Sequence, residues 1–365
     1  MKKSLSILLA SVFAAAMFAG CSSKSEKPAT TTPGTTTSSN GVVKLGLGHI
    51  TKIDSSTDLG TKDGKDVLPT GQVNTVIAAV GFDKDGKVQK ISFDFAQTKV
   101  NFDKTMKITS DIKTPAQTKK ELGAKYGMLS ASKIKKEWFQ QAAALEDWMK
   151  GKTVADIKAL KTKTVGTESG VPDNADLTSS VSISVTDFIA AVDEASQATV
   201  AVTGDVDKVG LGHVVSLASS KSYGTDSAGK EVLPVAQTDT SLVAAAFDKD
   251  GKVLTAIVDN CQTKVAYSKD GKVTSDKTAL YQSKDELKEK YGMLVASKIK
   301  KEWYQQADAL AKWMVGKTAS QIKSLKTKTV GTETGIADDA ELTSSVSISV
   351  TDYIAAAAEA YSYAK

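Results

Sequence analysis

The chain contains no arginine: every one of its 47 basic residues is lysine. Arginine's planar guanidinium is the usual bidentate clamp for phosphate. Its absence, with a formal net charge of only +5, argues against a nucleic-acid surface. Histidine is nearly absent too, with only His49 and His213. A nucleophile, a base and an orienting acid cannot be assembled from one lone histidine, and no residue spacing supplies a metal-ligand set, so each histidine reads as a hydrogen-bonded structural residue. The only cysteines are Cys21 and Cys261, so no intramolecular disulfide is expected. Beyond residue 20 no segment is long and apolar enough to span a bilayer.

What is present begins with a processing signal. Lys2 and Lys3 precede an apolar, Ala-rich run from Leu5 to Ala19, the length of a signal-peptide core rather than a membrane span. It closes on Phe18-Ala19-Gly20-Cys21, which resembles a bacterial lipobox with Phe in place of the usual Leu. That resemblance implies an acylated Cys21 at the start of the mature chain, anchoring the protein to the extracytoplasmic face of the cell membrane. The other reading is a soluble secreted protein with an accidental cysteine. Each buried methylene of the lipid would contribute about 0.8 kcal/mol of anchoring. Residues 22–41 are rich in Ser, Thr, Pro and Gly with no apolar period, and read as a disordered tether with a reach of about 25 Å.

Comparison of the chain with itself decides the architecture. FDKDGKV at Phe82–Val88 recurs at Phe247–Val253, KYGML at Lys125–Leu129 recurs at Lys290–Leu294, and ASKIKKEW at Ala131–Trp138 recurs at Ala296–Trp303. LTSSVSISVTD at Leu177–Asp187 recurs at Leu342–Asp352, and GLGH at Gly46–His49 recurs at Gly210–His213. A unit of this length is a domain rather than a solenoid repeat. The expected organisation is a signal peptide (1–20), the lipidated cysteine and tether (21–41), and two self-contained domains (42–202 and 206–365).

Within one unit, strands precede helices. Gly71–Phe82 carries a β-branched run, Asp83–Lys87 reads as a hairpin turn with Gly86 supplying positive φ, and Ile91, Phe93 and Phe95 alternate on the returning strand. Ser132–Lys150 reads as an amphipathic helix stopped by Gly151, and Thr153 caps a short helix running to Leu160. Val181, Ile183 and Val185 alternate with serines as a strand, and Thr186 caps a final helix over Asp187–Ala198. The fold class is α+β. Cys261 stands where the other unit has Ala96, which points to buried packing.

This order of elements resembles the FMN-binding domain of extracytoplasmic flavoproteins, including tandem-domain lipoproteins of Gram-positive extracellular electron transfer. The residues that carry the resemblance are Gly46-Leu47-Gly48, Asp85-Gly86-Lys87, Trp148–Thr153 and Ala175–Ser180, with Trp313–Thr318 and Ala340–Ser345 in the second unit. The resemblance implies an electron-transfer or binding protein rather than a catalyst, with a membrane quinone or reductase as redox partner. In that family a threonine in the turn before the last helix carries FMN through a phosphoester. Here Asp176 and Glu341 stand at that position, and a carboxylate cannot replace the hydroxyl. Like charges about 4 Å apart cost on the order of 4 kcal/mol at an effective dielectric near 20, so covalent flavinylation is not expected. Any FMN would bind non-covalently, with Thr178, Ser179, Thr343 and Ser344 as hydroxyl donors around Asp176 and Glu341. Trp138, Tyr126, Trp303 and Tyr291 would stack on its ring. The alternatives are core packing for these aromatics and helix-entry capping for the turn. They would leave a non-redox surface lipoprotein that binds another ligand or is purely structural.

Overall fold

The computed structural model describes residues 41–365; the expected signal sequence, Cys21 and the expected tether up to Asn40 lie outside the described residues. The first repeat runs β1 (Lys44–Lys52), β2 (Gly60–Lys62), β3 (Lys65–Val67), β4 (Thr70–Phe82), β5 (Val88–Asn101), α1 (Lys119–Leu122), α2 (Trp138–Met149), α3 (Val154–Lys158), β6 (Thr162–Val165), β7 (Glu168–Pro172), α4 (Thr186–Gln197) and β8 (Thr199–Ala201). The second runs β9 (Lys208–Ser216), β10 (Gly224–Thr225), β11 (Glu231–Val232), β12 (Val235–Phe247), β13 (Val253–Ala266), α5 (Lys284–Leu287), α6 (Trp303–Met314), α7 (Ala319–Lys323), β14 (Thr327–Val330), β15 (Glu333–Ala337) and α8 (Thr351–Ser362). The α+β class holds, with antiparallel sheets throughout. The two main sheets have the orders β5-β4-β1-β8 and β13-β12-β9.

Alternation along the long strands explains the layering. In β4, Val76, Ala78 and Val80 pack under α2 and α4, whereas Ile77 and Ala79 face the other sheet. In β12, Val243 and Ala245 lie under the helices, and Leu242, Ala244 and Ala246 face back. Both faces of each sheet are therefore buried, and the molecule is layered helix, sheet, sheet, helix.

The expectation of self-contained domains is corrected here. One apolar cluster between the sheets joins Leu45 and Leu47 to Val209, Leu211 and Cys261; a second joins Ile53, Val73 and Phe102 to Leu217, Val265 and Tyr267. The described residues, 41–365, belong to one compact unit. Each fully buried aliphatic side chain is worth about 1.5–3 kcal/mol, so the shared clusters rival the 5–15 kcal/mol net stability of a typical domain. Backbone hydrogen bonds also cross in matched pairs, from Ala116 N to Val215 O at 2.8 Å and from Tyr281 N to Thr51 O at 3.0 Å.

The glycines of the GLGH motif have a packing cause. A Cβ on Gly46 would lie 1.9 Å from the Ala195 carbonyl oxygen, and one on Gly48 would lie 2.1 Å from that of Ala191. Gly210 and Gly212 stand in the same relation to Ala360 and Ala356. Only glycine lets the last helix of each repeat lie against the first strand at this distance.

Three local expectations change. The helix expected from Ser132 begins at Trp138, because Lys135 adopts φ 53° and Glu137 is extended. The strand expected over 181–185 has no ladder partner. Val181 and Val185 are buried, but Ser182 N donates to the Gln141 side chain (2.8 Å) and Val185 N to Gly170 O (2.9 Å). Thr186 is the first residue of α4 rather than its cap, and Val185 precedes it without a side-chain cap bond. The Asp83–Lys87 turn is as expected: Asp83 Oδ1 accepts from Asp85 N (2.9 Å) and Lys87 N (2.8 Å), and Gly86 has φ 74°.

Candidate functional site

Each repeat holds a cavity between the end of its sheet, its long helix and its small hairpin. The first has a volume of 720 Å³ and is walled by Phe95, Lys119, Tyr126, Trp138 and Phe188. The second, of 510 Å³, is walled by the matching Asn260, Lys284, Tyr291, Trp303 and Tyr353.

The recurring sequence motifs build these cavities. Glu137, just before α2, accepts from the backbone amides of Met128 (2.9 Å) and Leu129 (3.1 Å), so the KKEW segment holds the KYGML loop and with it Tyr126. Glu302 binds Met293 N and Leu294 N at the same distances. Gln141, fully buried, donates to Lys136 O (3.0 Å) and Ser132 Oγ (3.3 Å) and receives Ser182, fixing the wall opposite the loop. Gln306 does the same with Lys301, Ser297 and Ser347. The GKT segment is a connector: Gly151 N donates to Val88 O (2.7 Å) and Lys152 Nζ to Trp148 O (2.7 Å).

The first cavity centres on a lysine among aromatics. Lys119 Nζ lies 3.8 Å from the Phe95 ring centroid, 4.8 Å from that of Tyr126 and 5.9 Å from that of Trp138. Burial pulls its pKa down to about 8, against the pull of Glu168 and Asp94 in the other direction. Lys284 sits 5.0 Å from the Tyr291 ring and 5.6 Å from the Trp303 ring, and burial lowers its pKa as well. The second cavity is the more acidic, with Asp239, Glu333 and Asp352 on its wall.

The residues singled out in the sequence divide into two groups. Tyr126, Trp138, Tyr291 and Trp303 do line the cavities, but each tryptophan is only 2% exposed and forms a floor packed into the core, while the tyrosines are half-buried at the wall. Of the turn residues only Thr178 borders a cavity. Asp176, Thr178, Ser179, Glu341, Thr343 and Ser344 are all solvent-exposed. Thr178 Oγ1 donates back to Asn174 O (2.7 Å) and Thr343 Oγ1 to Asp339 O (2.8 Å), bonds that close the turn on itself. What the turn buries is Leu177 and Leu342, both 1% exposed.

Sequence reasoning missed the environment of the two histidines. Both point between the sheets, each beside carboxylates drawn from both repeats. Burial alone would lower the His213 pKa, but the hydrogen bond its ring donates to Asp94 and the charges of Asp94, Glu359 and Glu121 raise it to about 9. Glu359 is pushed up to about 7 by burial and by the crowding of Glu121 and Asp94. Burial likewise opposes charge on His49, and Cys261, Glu286 and Glu194 outweigh it, so its pKa is raised well above the usual value. Cys261 is thus buried as expected, and it also lies beside the His49 ring.

No family model, no curated protein and no solved structure matches this chain.

Proposed function

We propose that the protein is an extracytoplasmic lipoprotein, anchored through Cys21, with two tandem FMN-binding-like domains. The first cavity takes FMN without a covalent bond for electron transfer with a membrane quinone or reductase. The observation that carries this reading is the Lys119 amine set among Phe95, Tyr126 and Trp138 in a cavity of 720 Å³. That volume lies within the 300–1,000 Å³ range of small-molecule sites. The wall offers aromatic surface for a flat ring, and Lys119, Lys133 and Lys163 offer cations for its phosphate. A covalent link does not fit, since Asp176 and Glu341 occupy the acceptor position on exposed turns that carry no free threonine there.

A second reading, a non-redox ligand-binding or structural surface lipoprotein, is favoured in one place. Asp239, Glu333 and Asp352 on the wall of the second cavity suit a cationic or polyhydroxylated ligand better than a phosphate. Residues 38–365, co-expressed with a flavin transferase and FMN, separate the readings. A yellow protein of unmodified mass is expected, and Tyr126→Ala should release its flavin while Tyr291→Ala should not. A colourless protein that leaves the fluorescence of added FMN unquenched would sink the flavin reading.

A further inference from the structure

We propose that the boundary between the repeats carries two binding sites for a first-row divalent metal ion, each built from one histidine and two glutamates. In the first, His213 on β9 and Glu359 on α8 meet Glu121 of α1 from the other repeat. In the second, His49 on β1 and Glu194 on α4 meet Glu286 of α5, again from the other repeat. Each set of three donor atoms lies within 4.8 Å of one another. Donors that share one cation at about 2.0–2.2 Å sit roughly 3–4 Å apart, so a small contraction closes either set.

The His213 site has the better-prepared geometry. Its Nε2 lies 2.7 Å from Asp94 Oδ2, a hydrogen bond that holds the proton on that nitrogen. In the neutral imidazole that ligates a metal, Nδ1 then carries the lone pair, so binding releases its proton. Nδ1 is buried without a hydrogen-bond partner and faces Glu359 Oε2 at 3.3 Å and Glu121 Oε2 at 4.0 Å. Glu359 Oε1 is also buried and unpartnered. A carboxylate behind the histidine, with the opposite nitrogen free, is the arrangement that orients imidazole ligands in metal sites. Three carboxylates, Asp94, Glu359 and Glu121, act on the imidazole, and Lys120 and Lys365 are the lysines nearby. At the other site Nε2 faces the carboxylates, 3.0 Å from Glu286 and 3.8 Å from Glu194, while Nδ1 is 3.1 Å from Thr51 Oγ1.

The fold also supplies access and position. Past its first three residues β1 has no neighbour on its outer edge, and Glu194 Oε1 accepts from His49 N (2.9 Å) there; Glu359 Oε2 accepts from His213 N (2.7 Å) in the same way. The glutamates are 17–35% exposed, so each cluster opens at a sheet edge rather than inside a sealed core. One nitrogen with two carboxylates suits the borderline cation Zn²⁺ best and first-row Mn²⁺ less well, and both over Mg²⁺, which favours an all-oxygen, largely hydrated shell.

The test is metal content after equilibrium dialysis of the chelator-stripped protein against Zn²⁺, Mn²⁺ or Mg²⁺ chloride, with circular dichroism to confirm folding. Zn²⁺ or Mn²⁺ should bind at two equivalents and Mg²⁺ at none, and His213→Gln should retain one. Glu121→Gln, a change at a part-exposed side chain, provides a second route to the same loss if His213→Gln fails to fold. Asp94→Asn should weaken the His213 site by about 10- to 100-fold without altering the His49 site, the signature of a positioning residue. Folded protein that takes up no metal, or whose uptake is the same in these variants, would overturn the proposal and leave both clusters as structural ion-pair networks.

Discussion

His213 in the second repeat places Nε2 2.7 Å from Oδ2 of Asp94 in the first, and both side chains are 2% exposed. The pair ties the repeats together inside the layer between the sheets. Removing one partner of such a pair strands the other charge away from water. Asp94→Ala is therefore expected to destabilise the protein by about 3–5 kcal/mol, read from urea unfolding. A loss below about 1 kcal/mol would show that the pair is not what holds this part of the interface.

The glycines of the first strand give a sharper steric contrast. Gly48→Ala puts a methyl group about 2 Å from backbone atoms of α4, which cannot move aside as a flexible side chain would. A loss of at least about 2–3 kcal/mol is expected, the upper part of the overpacking range. Gly86→Ala, at φ 74° with open space around it, should cost only about 1 kcal/mol from backbone strain. Equal urea midpoints for the two variants would contradict this account of the GLGH motif.

Lys119 should leave a mark on the pH dependence of stability. Its folded pKa is about 8, below its ordinary value of 10.5. Between those limits the unfolded chain holds the proton and the folded one does not, so the contribution of this group to stability rises with pH across that window and is flat below it. The full difference is on the order of 3 kcal/mol. Lys119→Met should remove this rise and be the more stable protein at pH 7.5. The check is a set of unfolding curves for both proteins at pH 7.5 and pH 10; parallel behaviour of the two would refute the assignment.

The turn once expected to carry a cofactor should behave as a structural element. Leu177→Ala is expected to cost about 2–5 kcal/mol, because a fully buried side chain is lost. Ser179→Ala, at an exposed position, should stay within about 0.5 kcal/mol and leave ligand affinity untouched. Calorimetry on both variants, with and without FMN, distinguishes a supporting turn from a binding one. Trp138 is poorly suited to such a test: truncating a buried tryptophan costs about 3–5 kcal/mol and confounds binding with folding.

Much of this architecture was legible locally. The hairpin at Asp83–Lys87 follows from a short acidic side chain that binds its own turn and a glycine free to take positive φ. The Thr153 cap follows from a threonine placed just before the short helix, whereas the recurring Tyr126 and Trp138 suit core packing and ring stacking alike. The segment 181–185 misled because period-two burial does not require a ladder: a buried glutamine, Gln141, takes the place of a neighbouring strand. The helix start misled because Glu137 spends its carboxylate on the loop before it, an interaction with no helical period.

By itself the sequence determined the repeat, the fold class, the turns and the absence of arginine chemistry, all properties written in neighbouring residues or in the comparison of one half with the other. Only the tertiary structure decided that the halves are not independent. Alternate residues of β4 and β12 point to opposite faces, and both faces are apolar, so the strands themselves do not say whether a helix or a second sheet covers each side. Once the sheets meet, residues 119 positions apart become the His213–Asp94 pair. Two histidines that look isolated in the chain then stand among carboxylates from both repeats.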